Sequence, residues 1–166
     1  MELFKLSSQN HRETRKIARI LSKEILRSGP WDGAVIVGLV GDLGSGKTVF
    51  AQGFAEGLGI KNSVKSPTFV LVKNFKILRS KFKTFSHIDA YRLKNAGESR
   101  PLGWSDWVRD SKKIILVEWA DRIKKIMPSP RIEIKFEIKP KEKRMLNFFV
   151  IKGNGKTNIK NKKRKK

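Results

Sequence analysis

Apolar positions early in the chain recur at helical spacing. Ile17, Leu21 and Ile25 lie four apart and predict one helix. Asn10 with Glu13 three residues on forms a capping-box-like start, and Gly29-Pro30 supplies the stop. The period then changes. Residues 34–40, Ala-Val-Ile-Val-Gly-Leu-Val, run without a polar break, as expected of a strand covered on both faces of a parallel sheet. After a glycine-rich loop at 41–46, Phe50, Phe54 and Leu58 mark one face of a second helix, with Gly59 placed to end it.

Residues 69–75 and 82–88 read as two further strands joined by a basic turn. Residues 93–112 have no single reading, because Gly97, Pro101 and Gly103 interrupt any long helix. Another buried strand is expected at 114–117 and a short helix at 121–126, before Pro128 and Pro130 break the chain. Ile132, Ile134, Phe136 and Ile138 alternate with charged residues, and 145–151 is apolar again, which predicts an antiparallel hairpin. Strands alternating with helices give the fold class: α/β, with a mostly parallel central sheet and an antiparallel C-terminal hairpin. Residues 1–151 are read as that domain and 152–166 as a basic tail, expected to be disordered.

Composition narrows the class. The 166 residues suffice for one real core. No apolar run approaches the roughly 20 residues of a membrane span, and the first residues lack the layout of a secretory signal. Cysteine is absent, which excludes disulfides and thiolate metal sites. A cytoplasmic protein without membrane contact is the expectation. The formal net charge of +23 is high, and residues 152–166 hold eight basic residues and no acid. Such a field attracts polyanions. Nucleic-acid contact and a merely lysine-rich surface are both compatible with it, since charge alone reads neither sequence nor shape.

The chemistry concentrates at Gly41-Asp42-Leu43-Gly44-Ser45-Gly46-Lys47-Thr48, which fits the phosphate-loop pattern G-x-x-x-x-G-K-[ST]. Glycines let main-chain N–H groups close around phosphate oxygens, and the following helix presents its positive end. Lys47 is the group to reach the β- and γ-phosphates, and the Thr48 hydroxyl a ligand for Mg²⁺. A buried strand before the loop and an amphipathic helix after it supply the context the motif requires.

Magnesium needs few protein carboxylates, placed at the C-terminal ends of strands beside the loop. Glu118 ends the run Ile114-Ile115-Leu116-Val117 and is assigned to the metal; Asp89 ends Phe85-Ser86-His87-Ile88 and is assigned to orient water. The reverse assignment stays open. Lys47, Asp89 and Glu118 are thus the candidate catalytic residues. Thr68, in Ser66-Pro67-Thr68-Phe69, is a candidate sensor of γ-phosphate or metal, and equally an ordinary turn residue entering a strand. Trp119 is a candidate to lie against the nucleotide, with a core position as the alternative, while His87 is read as a packed strand residue. Arg92 could act on transferred phosphoryl charge or simply pair with a local acid. The absence of an Asn-Lys-x-Asp segment favours ATP over GTP.

Four blocks in order, GDLGSGKTVF, VKSPTF, HIDAYRL and ILVEWADR, resemble the TsaE family, bacterial ATPases of tRNA threonylcarbamoyladenosine formation. The resemblance spans about residues 7–151. It implies a single-domain P-loop fold, slow ATP hydrolysis with Mg²⁺, and association with TsaD and TsaB, the pair that performs the transfer. Carried over, residues 43–48 bind phosphates, Thr48 and Glu118 hold Mg²⁺, Trp119 lies beside the nucleotide, and the segment 7–14 lies near the adenine. Val49 and Ala90 depart from the usual threonine and leucine, and Arg100-Pro101 interrupts a segment that is normally helical and acidic. The basic surface and tail leave tRNA contact open. Two other readings compete: a small-molecule P-loop kinase with Asp89 as base, and a basic RNA-binding module with a vestigial loop.

Overall fold

A computed structural model describes residues 1–61, 72–92, 103–141 and 143–152. The elements are β1 (Glu2–Ser8), α1 (His11–Ser28), β2 (Val35–Val40), α2 (Lys47–Gly57), β3 (Val72–Lys76) and β4 (Thr84–Asp89). They continue with α3 (Trp104–Arg109), β5 (Lys113–Glu118), a 3₁₀ turn at Ala120–Ile123, β6 (Arg131–Lys139) and β7 (Lys143–Ile151). One seven-stranded sheet has the order β1-β7-β6-β2-β5-β4-β3. Its four central strands are parallel, while β3, β7 and β1 join antiparallel.

Helices on both faces explain the unbroken hydrophobicity of the central strands. Val35, Val37, Leu39, Ile114 and Leu116 meet α1 and α2 on one side. Ile36, Ile115 and Val117 meet Trp104, Ile123 and Met127 on the other. Phe50 and Phe54, both 0% exposed, anchor α2 to the sheet, each side chain contributing about 2–3 kcal/mol of apolar burial. The two helices approach backbone to backbone, because a Cβ on Gly53 would stand 2.5 Å from the Arg15 carbonyl oxygen. Gly57 makes the same kind of approach against Arg19, whose carbonyl oxygen would stand 2.8 Å from an added Cβ. That contact sets α2, and with it the loop at its N-terminus, against α1.

The Asn10 side chain accepts from the Glu13 N–H at 3.0 Å and caps α1, while Glu13 reaches back to the Gln9 N–H at 2.7 Å. The reciprocal bond thus falls one residue earlier than a strict capping box requires. Gly29, at φ 78°, ends the helix as expected.

Three readings change. Residues 2–8, left without an element by the sequence, form an edge strand on β7, with Phe4 stacked on Phe148 at 4.6 Å between ring centroids. The helix expected at 121–126 is a 3₁₀ turn at Ala120–Ile123, begun by Trp119 in the left-handed region. In the ambiguous stretch, Trp104–Arg109 is a short helix with Trp104 buried beneath it. Residues 62–71, 93–102, 142 and 153–166 lie outside the described residues. With them go Thr68, Arg100, the first part of the strand expected at 69–75, and the tail. No described helix is long and apolar enough to cross a membrane.

Candidate functional site

The phosphate loop leaves the C-terminal end of β2 and closes onto α2. Gly46, the N-cap, has φ 101°, a conformation in which a side chain would be strained. The first turn of α2 carries no acid and no side-chain cap, so its N–H groups remain available to an anion. An open cavity of about 210 Å³ lies there. It brings together Leu43, Gly44, Gly46, Lys47 and Thr48 from the loop with Glu118 and Trp119 from the end of β5. Gly41 and Ser45 support it from behind: Ser45 is fully buried, and both contribute oxygens to the lysine. A larger hollow of about 320 Å³, between β1 and α1, is lined by apolar side chains and Glu24 and offers an anion nothing.

Lys47 does not project into open space. Its Nζ donates to the Gly41 carbonyl at 2.6 Å, the Asp42 carbonyl at 2.7 Å and Ser45 Oγ at 3.3 Å. The Trp119 ring centroid lies 3.7 Å from the same nitrogen. An ammonium has three protons, and all three are engaged by the loop itself. Burial pushes the Lys47 ammonium below the usual lysine range, while Glu118, Asp121, Asp42 and Asp89 pull it partly back up.

Across the cavity, Thr48 Oγ1 donates to Glu118 Oε2 at 2.8 Å. The other oxygen, Glu118 Oε1, is bonded to His87 Nε2 at 2.8 Å. Glu118 is 1% exposed and His87 fully buried. The sheet register puts Asp89 directly opposite Glu118 on neighbouring parallel strands, so the two assigned acids stand side by side at the C-terminal edge. Asp89 Oδ1 accepts from the Tyr91 N–H at 3.0 Å. No group of three or more His, Asp or Glu gathers among the described residues. One hydroxyl beside one carboxylate still fits magnesium in such a loop, since the ion takes its other ligands from phosphate oxygens and water.

Trp119 lines the cavity and packs, partly buried, against the edge of the core. It holds φ 58°, uncommon for a bulky residue, and its ring packs on Tyr91 at 4.9 Å. Arg122 stands beside the same two rings.

Sequence reasoning missed His87 and Arg144, and it named His11 only within the segment 7–14 that the resemblance put near the adenine. His87 was read as packing, yet it is tied to the assigned metal acid; its place two residues before Asp89 on one strand was the available signal. His11 lines the cavity from the start of α1. Arg144, nine-tenths buried on β7, donates to His11 Nε2 at 3.3 Å. Nothing in the hairpin pattern placed Arg144 next to the loop, because that proximity depends on β7 pairing with β1.

Comparison with known proteins agrees with this geometry. The family model for threonylcarbamoyl adenosine biosynthesis protein TsaE matches residues 8–146. The tRNA threonylcarbamoyladenosine biosynthesis protein TsaE of Bacillus subtilis is 34% identical over 91% of this chain and 88% of its own. Its counterpart in Rickettsia felis is 36% identical, covering 84% of this chain and 76% of its own. The crystal structure of YdiB from Bacillus subtilis superposes with a TM-score of 0.72 at 30% identity, over 93% of this chain and 89% of that one. A phosphate loop facing a strand-end acid, matched along nearly its whole length, makes this chain a member of the TsaE family of tRNA threonylcarbamoyladenosine biosynthesis proteins.

Proposed function

We propose that the chain is a Mg²⁺-dependent ATPase that serves threonylcarbamoyladenosine formation on tRNA by acting on a complex of TsaB and TsaD homologues. The observation that carries this reading is the 2.8 Å bond between Thr48 and Glu118. It joins the anion-binding end of α2 to the carboxylate that ends β5.

In this reading the loop N–H groups and Lys47 grip the phosphates, and Thr48 and Glu118 hold magnesium. The metal supplies neutralising charge on the phosphoryl oxygens. Asp89, in register with Glu118, orients the water that attacks the γ-phosphorus while the bond to the β-phosphate breaks. Trp119 covers the phosphate end and keeps bulk water from it. Thr68 remains a candidate sensor of γ-phosphate.

TsaB and TsaD homologues are the proposed protein partners. The basic surface supports contact with tRNA as well: Arg12, Lys16 and Lys23 are exposed at helical spacing along α1, and residues 152–166 add eight positive charges.

The test is a pull-down with TsaB and TsaD homologues from the same cell, with and without ATP, followed by phosphate-release measurement on the complex. Retention of the chain and release that disappears in Lys47→Ala are expected. Undiminished release in that variant, or no retention under any nucleotide condition, would overturn the reading.

A further inference from the structure

We infer that His87 is a positioning residue of the metal site, holding the Glu118 carboxylate in the orientation that magnesium requires. This rests on Glu118 being the metal acid and adds a residue that does not itself touch metal or nucleotide.

A carboxylate only accepts hydrogen bonds, so the proton between the pair sits on His87 Nε2, 2.8 Å from Glu118 Oε1. The other carboxylate oxygen is bonded to Thr48. When the Thr48 hydroxyl turns a lone pair to a metal ion, it can keep its one proton for Glu118. The bond to His87 does not depend on that hydroxyl. His87 therefore anchors one oxygen and leaves Oε2 on the side of Thr48, which lines the cavity with Glu118.

The position argues against mere packing. His87 lies on β4 two residues from Phe85 in a core of apolar side chains, and it is fully buried. Its Nδ1 is buried with no hydrogen-bond partner among the described residues. A ring that leaves one nitrogen unsatisfied is a poor choice for filling volume, where leucine or phenylalanine would serve better. Among the described residues, the hydrogen bond of its side chain is to Glu118. Hydrogen-bond partners of metal ligands commonly change metal affinity by about 10–100-fold when removed.

The experiment measures equilibrium ADP binding by calorimetry as a function of Mg²⁺, for wild type, His87→Leu, His87→Gln, His87→Asn and Glu118→Gln, with thermal unfolding of each. His87→Leu is expected to raise the half-saturating Mg²⁺ concentration at least tenfold while leaving metal-free ADP binding unchanged. His87→Gln, whose amide can donate from nearly the same place, restores it to within a few-fold, and the shorter His87→Asn does not. A folded His87→Leu with Mg²⁺ dependence within twofold of wild type overturns the inference. Should His87→Leu fail to fold, equal Mg²⁺ dependence of the glutamine and asparagine variants overturns it instead. If Glu118→Gln also leaves Mg²⁺ dependence unaltered, the metal assignment itself falls; if only Glu118→Gln shifts it, the assignment stands and His87 is packing.

Discussion

The Lys47 ammonium sits 3.7 Å from the centre of the Trp119 ring, held between that aromatic face and the carbonyls of Gly41 and Asp42. Loop carbonyls and the tryptophan ring thus surround the ammonium together. A bound phosphate has to draw Lys47 away from at least part of this arrangement.

Trp119 should therefore report binding. ADP titration is expected to change tryptophan emission in the wild type. Trp119→Phe should lose most of that change, although Trp31, Trp104 and Trp107 remain. An equal change in the variant, with calorimetry confirming that it still binds ADP, would place the reporter elsewhere.

Lys47 also sets a pH dependence. Its pKa is lowered in the folded protein, chiefly by burial, from the usual lysine value of 10.5. Between the lowered value and 10.5 the unfolded chain binds more protons than the folded one. The cost of burying this charge is fully present below the lowered pKa and is relieved as pH rises through that window. Nucleotide binding works in the opposite direction, since phosphate charge favours the ammonium. ADP affinity should fall as pH rises through the lowered pKa, with proton uptake on binding there. Calorimetry in buffers of different ionisation enthalpy measures that uptake, and Lys47→Arg, which stays charged, should flatten the alkaline fall.

Gly53 controls the seat of the phosphate-loop helix. A methyl group there would stand 2.5 Å from the Arg15 carbonyl oxygen and 2.7 Å from the Arg15 Cα, so α1 or α2 must shift. Gly53→Ala should cost about 1–3 kcal/mol, as overpacking in a closed core does, despite alanine being the better helix former. Urea unfolding measures the loss, and an unchanged midpoint would show that the helices separate freely.

The basic surface makes its own prediction. Removing residues 153–166 should leave folding and ATP hydrolysis intact, as judged by thermal unfolding and phosphate release. It should weaken tRNA binding and flatten its dependence on salt, by up to about 0.9 in logarithmic slope per lost phosphate contact. Lys16→Glu with Lys23→Glu should act similarly, whereas the same charge change at Lys76 and Lys124 should have a smaller effect. Equal losses from both pairs would mean that only net charge matters.

Local pattern sufficed for much of this protein. The uninterrupted run 34–40, the loop 41–48 and the strand-end acids Asp89 and Glu118 could be placed because each is a property of neighbouring residues: a period, a spacing, a charge after an apolar run. The same locality set the start of α1 at Asn10 and the C-terminal hairpin. What remained hidden was whatever depends on contacts between distant segments. Edge strand β1 has no strong alternation and takes its form by pairing with β7. Sequence leaves Trp119 open between the nucleotide and the core, and the left-handed turn after β5 brings its ring to Lys47. His87 and Arg144 became part of the site only when sheet order brought β4 beside β5 and β7 beside β1. Sequence determined the phosphate-binding loop and the α/β architecture around it, because their signals are short-range. Tertiary structure decided which buried side chains orient the carboxylate and surround the lysine, because hydrogen bonds across strands follow from register and burial, which no single segment encodes.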